Sequence, residues 1–136
     1  MIQITAIDHV VFRTTRLDAM LHFYGKILGC HIERALPPEQ GLVQLRAGNA
    51  LIDIVPVDSE MGRRGGKAPS QDGRNIDHVC LQIAAISEDA LLAHLDELEV
   101  SHSGFAERYG ATGMSRSIYL EDPEGNVIEL RPPRAG

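Results

Sequence analysis

The chain has 136 residues, which suits one domain or two half-size modules, and its 43% apolar and 24% charged residues are typical of a globular protein. A net charge of −6 argues against a nucleic-acid partner, so we expect a small-molecule one. No stretch is apolar for long enough to span a bilayer and the start, "MIQITAIDHVVF", lacks the features of a secretory signal, so we expect no membrane association and a cytoplasmic location.

The first half predicts one strand, one helix and three further strands. "IDHVVFRT" (residues 7–14) alternates apolar and polar side chains, as a half-buried strand does. The next segment, "TTRLDAMLHFYGKILG" (14–29), has apolar residues at helical spacing and ends on a glycine. Three short apolar runs separated by Pro or Gly then predict strands, namely "CHIERAL", "GLVQLRA" and "ALIDIVP".

A polar, glycine-rich segment, about residues 58–74, predicts a connector between two modules. Its "GRRGGK" lacks the strand and helix that flank a phosphate-binding loop, so we expect a solvated linker. The alternative is that Arg63, Arg64 or Lys67 folds over a site and meets an anionic substrate.

The second half repeats the order of the first. "IDHVCLQI" (76–83) predicts a strand that opens with the same four letters, and "SEDALLAHLDELEV" (87–100) predicts a helix. The pattern is therefore βαβββ twice, an α+β fold with module one at about 5–57 and module two at about 75–133. The last three strands are predicted at "SHSGFAE", "SRSIYLE" and "NVIELRP", separated by "RYGATG" and "DPEG".

Each module places a histidine in its first strand and a carboxylate in its last: His9 with Asp53, and His78 with Glu129. A single strand histidine is more often a core or edge residue than a ligand. Two histidines and two acids at equivalent places in two repeats favour one shared metal site instead. This ligand set suits Zn, Ni, Co, Mn or Fe(II). The sequence leaves open whether the two histidines meet within one chain or across two.

From Ile7 to Pro132 the chain resembles the vicinal oxygen chelate superfamily, which includes glyoxalase I, bleomycin-resistance proteins, fosfomycin-resistance thiol transferases and extradiol dioxygenases. The motifs that carry the resemblance are "DHVVFRT", "FYGKILG", "LIDIVP", "DHVCLQ" and "IYLEDPEGNVIEL". The resemblance implies a single glyoxalase-like domain over residues 1–136, with mixed sheets curled around a metal cleft, and a homodimer.

The resemblance also assigns roles to individual residues. His9, His78 and Glu129 match the family's metal ligands. Asp53 stands where glyoxalase-type members carry a fourth ligand, usually Glu or Gln, and it is one methylene shorter than Glu. Arg13 matches an arginine that contacts glutathione in glyoxalase I, although a surface strand arginine is an equally good interpretation.

By this resemblance we expect a metal-dependent lyase or isomerase that stabilises an enediolate of a small oxygenated substrate, which could be a glutathione conjugate. Glu129 is the expected base, with Asp53 as its partner. An Fe(II) extradiol-type dioxygenase is the first alternative, with Tyr119 as its functional tyrosine, although residues 110–112 lack the acid–base histidine of those enzymes. The second alternative is a non-catalytic drug-binding resistance protein or a thiol transferase.

Overall fold

The computed structural model describes residues 1–134, which divide into two compact units, residues 1–75 and residues 76 onward. We call them the first and the second unit. Each contains a four-stranded mixed sheet and one principal helical segment, which confirms the α+β class and the βαβββ order. None of the helices in residues 1–134 combines the length and the apolar character needed to traverse a bilayer.

In the first unit the strands lie in the order β1-β4-β3-β2, with β1 parallel to β4 and the other pairs antiparallel. Helix α1 runs directly into a π-helical turn over Phe23–Ile27. The buried side of the sheet packs with this helix because alternate strand residues are apolar. The elements are β1 (His9–Thr14), α1 (Leu17–His22), β2 (His31–Ala35), β3 (Val43–Ala47), β4 (Ala50–Pro56) and α2 (Glu60–Arg63).

The second unit has the same topology, β5-β8-β7-β6, with β5 parallel to β8. Ser87 caps helix α3 by accepting a hydrogen bond from the backbone N–H of Ala90 at 3.1 Å. Leu91 and Leu95 of that helix are buried, as are Ile118 and Leu120 of β7 and Ile128 and Leu130 of β8. The elements are β5 (His78–Gln82), α3 (Glu88–Glu97), β6 (Ala106–Gly110), β7 (Gly113–Glu121) and β8 (Val127–Arg131).

Strand β6 lies later in the chain than the sequence predicts. The predicted strand covers residues 101–107 and the predicted turn 108–113, whereas residues 106–110 pair with β7 and the turn is the short Gly110–Gly113 connection. Gly113 has φ +91°, a conformation that glycine adopts without steric cost, and this allows the tight hairpin. Residues 101–105 form only an isolated bridge, between His102 and Leu120.

A hydrogen-bonded turn sets the start of β8. One Asp122 carboxylate oxygen accepts hydrogen bonds from the backbone N–H groups of Glu124 and Asn126, each at 2.9 Å, and the other accepts from the Asn126 side chain at 2.8 Å. Gly125 supplies the positive φ that this turn requires. The "DPEGN" motif therefore fixes where β8 begins, and with it the position of Glu129 three residues later.

The linker is organised around Arg13 on β1. Its guanidinium donates hydrogen bonds to the backbone carbonyls of Gly62 (3.2 Å), Gly65 (3.0 Å), Gly66 (2.7 Å) and Lys67 (3.0 Å). The Cα of Gly65 lies so close to this guanidinium that a Cβ would overlap it. The segment is thus bound to the first unit along much of its length.

We expect Arg13→Met to expose this segment, because the substitution removes four hydrogen bonds that a charged donor makes to its carbonyls. Tryptic cleavage after Arg63 and Arg64 should accelerate by about tenfold or more, since opening of this segment exposes its peptide bonds. Mass spectrometry of timed digests measures the rate. Arg46→Met, which breaks only a surface ion pair with Glu33, is the control. Equal cleavage rates in Arg13→Met and the unsubstituted protein would contradict the anchoring role.

Candidate functional site

The histidine of each "IDHV" repeat is held by the aspartate before it. His9 Nδ1 lies 2.6 Å from an Asp8 carboxylate oxygen, and His78 Nδ1 lies 2.6 Å from Asp77. When Nδ1 carries the proton that it donates to the carboxylate, Nε2 keeps its lone pair for a metal, and such carboxylate–histidine pairs support metal ligands in many proteins. The hydrogen bond to Asp8 raises the pKa of His9, and the charge of Asp53 contributes further. Sequence reasoning missed both aspartates, although each is repeated with its histidine.

In the second unit the structure brings His78 and Glu129 together. Glu129 is only 5% exposed, and its Oε1 lies 3.3 Å from His78 Nε2. Two ligands bound at about 2.1 Å with a near-tetrahedral angle stand about 3.4 Å apart, so this spacing fits a shared metal ion. With the proton of His78 on Nδ1, both atoms present lone pairs to each other, and a cation between them relieves their repulsion.

In the first unit a glutamine binds the equivalent carboxylate. Asp53 is 3% exposed, and Gln44 Nε2 donates to both of its oxygens at 3.2 and 3.3 Å. Arg34 donates to Gln44 Oε1 at 3.3 Å, which fixes the orientation of the amide. Asp53 therefore has part of its charge compensated by a neutral donor, whereas the corresponding neighbour of Glu129 on β7 is Tyr119.

Two further side chains flank Glu129 by strand register, Cys80 on β5 and Tyr119 on β7. Partial desolvation raises the pKa of Cys80 to about 11, and the Glu129 carboxylate adds to this effect. The Tyr119 ring contacts the His78 ring edge-on, with centroids 5.5 Å apart. Sequence reasoning did not place Cys80 beside Glu129, because that pairing depends on the register of β5 against β8.

A cavity of about 490 Å³ lies in the first unit beside Val11 and Arg13. These two residues alternate with the buried ones on β1, so they share a strand face with His9. The nitrogens Nη1 and Nη2 of Arg13 already donate to the linker carbonyls, so Arg13 acts here as an anchor of the cavity wall. The remaining wall carries basic side chains and few apolar ones: it is formed by Gly65, Lys67, Pro69, Gly73, Arg74 and Asn75.

The part of the chain that the structure describes contains no group of three or more His, Cys, Asp or Glu side chains close enough to hold a metal ion. In this part of the chain, each strand histidine instead has the contacts described above. The other histidines have different surroundings. His102 pairs with Asp96 at 2.8 Å and with the Ser103 carbonyl at 2.7 Å, contacts that raise its pKa. His22 and His94 are exposed on their helices.

Comparison with known proteins identifies relatives over nearly the whole chain. The virulence protein STM3117 of Salmonella typhimurium (strain LT2) is 28% identical over 128 residues, which are 93% of this chain and 83% of that protein. Its crystal structure superposes with a TM-score of 0.72, at 25% identity, covering 96% of this chain and 98% of that chain.

Two further crystal structures share the fold at lower sequence identity. An integron cassette protein from the mobile metagenome of V. cholerae has a TM-score of 0.74 at 24% identity, over 97% of this chain and 98% of its own. A lactoylglutathione lyase from Agrobacterium tumefaciens has a TM-score of 0.63 at 20% identity, over 94% and 93%. The sequence profile of the Glyoxalase/Bleomycin resistance protein/Dioxygenase superfamily matches residues 6–130, and the chain belongs to this superfamily.

Proposed function

We propose that this protein is a metal-dependent lyase or isomerase of the glyoxalase type. The observation that carries the proposal is the pair formed by His78 and the buried Glu129, 3.3 Å apart, with the imidazole oriented by Asp77. We assign His9, His78 and Glu129 as metal ligands, with Asp53 as the fourth. The set of two imidazoles and two carboxylates suits a borderline divalent ion, so Zn, Ni, Co or Mn is expected.

The buried carboxylates support this assignment independently. An ionised carboxylate in an apolar strand costs several kcal/mol unless a cation or several donors compensate it. Glu129 has His78 as its only ion-pair partner in residues 1–134, while Asp53 has the Gln44 amide. A divalent ion would supply the positive charge that these partners do not.

The bound metal would act as a Lewis acid that stabilises negative charge on substrate oxygens. The chain's own residues would do the rest. Glu129 would remove the proton from a hydroxyl-bearing carbon next to a carbonyl and return it to the former carbonyl carbon, while the hydroxyl proton moves to the former carbonyl oxygen, leaving an isomerised product. His9 and His78 would hold their ligand positions because Asp8 and Asp77 fix their rings. Within the first unit, the cavity beside Arg13 offers space and positive charge for an anionic ligand.

The two carboxylates are suited to different tasks. Gln44 donates to both oxygens of Asp53, which occupies their lone pairs and restrains the movement of the carboxylate. Glu129 has a longer side chain and neighbours that are a thiol and an aromatic ring. We therefore assign proton transfer to Glu129 and an orienting role to Asp53.

A second candidate function is an Fe(II) extradiol-type dioxygenase. The contact between Tyr119 and His78 favours it, because a tyrosine beside a ligand histidine is in reach of a ring-bearing substrate at the metal. The ligand set of two histidines and one carboxylate also suits Fe(II).

We further propose that the protein is a cytoplasmic homodimer. Its two cysteines, Cys30 and Cys80, are free thiols, as in a reducing compartment.

The dimer is proposed from an exposed apolar segment at the start of the chain, which a second copy could cover. Its apolar residues, each 80% or more exposed, are Met1, Ile2, Ile4 and Ile7.

Metal binding tests the ligand assignment. Titrated with Co²⁺, the metal-free protein should develop the visible d–d absorption of a protein-bound ion at about one per chain. His78→Ala should weaken this binding by more than the 10- to 100-fold that loss of an outer hydrogen-bonding partner costs. His94→Ala, an exposed histidine of the same unit, is the control and should bind as the unsubstituted protein does. Unchanged affinity in His78→Ala would refute the assignment.

Turnover tests the reaction class. The metal-loaded protein should convert a glutathione hemithioacetal into a thioester, followed by ultraviolet absorption. Glu129→Gln should lower kcat by about 10²-fold or more, since it removes the proton-transfer group. No thioester, together with oxygen uptake on a catechol in the Fe(II) form, would replace this proposal by the dioxygenase.

Light scattering after gel filtration tests the dimer. We expect twice the mass of the chain, and a shift toward the monomer when Ile2, Ile4 and Ile7 are all changed to Ser, because the exposed apolar segment is then polar. Monomer mass for the unsubstituted protein at micromolar concentration would disprove the homodimer.

A further inference from the structure

A second arginine, Arg108 on β6, lies close to the His78–Glu129 pair within the second unit. Its guanidinium carbon stands 4.2 Å above the centroid of the Tyr119 ring, and that ring contacts His78 edge-on. Arg108 and the candidate ligand His78 therefore contact the same tyrosine ring. A guanidinium over an aromatic face is attracted by the ring quadrupole, which holds its plane in place.

The orientation of Arg108 is fixed by hydrogen bonds on one side only. Its Nη1 donates to the carbonyl of Ser117 at 2.6 Å and to the hydroxyl of the same residue at 3.0 Å. Its backbone carbonyl accepts a hydrogen bond from Arg131 Nη1 at 3.0 Å. Both hydrogen bonds from the Arg108 side chain come from Nη1, so the edge formed by Nε and Nη2 makes none in the described part of the chain.

Two arginines on neighbouring strands, Arg116 on β7 and Arg131 on β8, use the same groups differently. Arg131 donates to the Arg108 carbonyl, the Gly113 carbonyl and the Thr112 hydroxyl, so its donors serve the hairpin itself. Arg116 uses its Nε and Nη2 edge to bind the Glu88 carboxylate at two points, 2.6 and 3.0 Å. In Arg108 the same edge, formed by Nε and Nη2, binds no carboxylate within the described residues.

The charge of Arg108 is also uncompensated by an acid. Within residues 1–134 it forms no ion pair, although it is only half-exposed and held rigidly. A fork of two N–H groups in one plane matches a planar carboxylate, and because the fork is already oriented, little entropy is lost on binding.

We propose that Arg108 and Tyr119 form a subsite that binds a carboxylate of the substrate. The inference rests on the proposed function, because it places this carboxylate next to the metal-binding pair, and it narrows the substrate class to carbonyl compounds that carry a carboxylate. Arg108 is a specificity-determining residue in this account: it binds the substrate and takes no part in proton transfer.

The test compares two ligands that differ by one carboxylate. Propionohydroxamate and succinomonohydroxamate offer the same chelating group, and their dissociation constants are read from the visible spectrum of the Co²⁺-loaded protein. Arg108→Gln should raise the dissociation constant of succinomonohydroxamate by about 10- to 100-fold, the range for a charge-assisted hydrogen-bonded pair. The dissociation constant of propionohydroxamate should change by less than about twofold. Arg116→Gln is the control and should change neither. Equal effects of Arg108→Gln on both ligands, or no effect, would overturn the subsite.

A metal-free measurement separates this inference from the proposed function. Succinate should shift the Nε–Hε NMR resonance of Arg108, assigned by its absence in Arg108→Gln. A shift in a protein that takes up no Co²⁺ would support the subsite while the metal proposal fails. An unmoved resonance would overturn the subsite whatever the metal result. Should Arg108→Gln fail to fold, Arg108→Lys keeps the charge and loses the fork, and it should show the same selective loss for succinomonohydroxamate.

Discussion

The cost of burying a carboxylate in an apolar strand is the constraint on which the candidate site depends. Asp53 and Glu129 occupy equivalent places in β4 and β8, and each is almost fully buried. The other residues of β4, and those of β8 except Arg131, are apolar, so neither acid stabilises the fold by packing. Each must be compensated: Asp53 accepts hydrogen bonds from the Gln44 amide, whereas Glu129 faces the imidazole of His78, and a bound cation would complete the compensation. Buried acids at equivalent places in both repeats support the proposed metal-binding role.

The two units share a topology and differ in the chemistry of their open faces. The neighbours of the acid by register are Val11 and Gln44 in the first unit, and Cys80 and Tyr119 in the second. The two units therefore have equivalent backbone topologies that carry different side chains. The first unit has the anchored linker and the cavity, and the second has the aromatic ring with an oriented arginine.

Much of the fold could be predicted because periodicity is a local property. The alternation in β1 and β5, the helical spacing in α1 and α3, and the glycine turns all lie in contiguous sequence. The prediction for β6 was wrong because "SHSGFAE" and "AERYG" have similar strand character, and the hairpin turn at Gly113 decides between them. The α2 helix, Glu60–Arg63, lies inside the predicted linker and is too short for a periodic signal.

The sequence predicts the histidines and acids of the candidate site because they recur at equivalent places in the two repeats, and their role as ligands stays a prediction. Its supporting residues were not. Gln44 contacts Asp53, and Arg108 contacts Tyr119, only because of strand register and side-chain direction, which the sequence does not encode locally. Arg13 shows the same limit: its position suggested a substrate contact, which stays a prediction, while its hydrogen bonds to the linker could not be foreseen.

The central claim is that the chain binds a divalent metal, and elemental analysis of purified, untagged protein tests it most directly. The account predicts about one Zn, Ni, Co or Mn per chain, or uptake to that level when a metal-free sample is supplied with the ion. Stoichiometric iron would favour the dioxygenase chemistry at the same residues. A protein that contains no metal and takes up none would contradict the account.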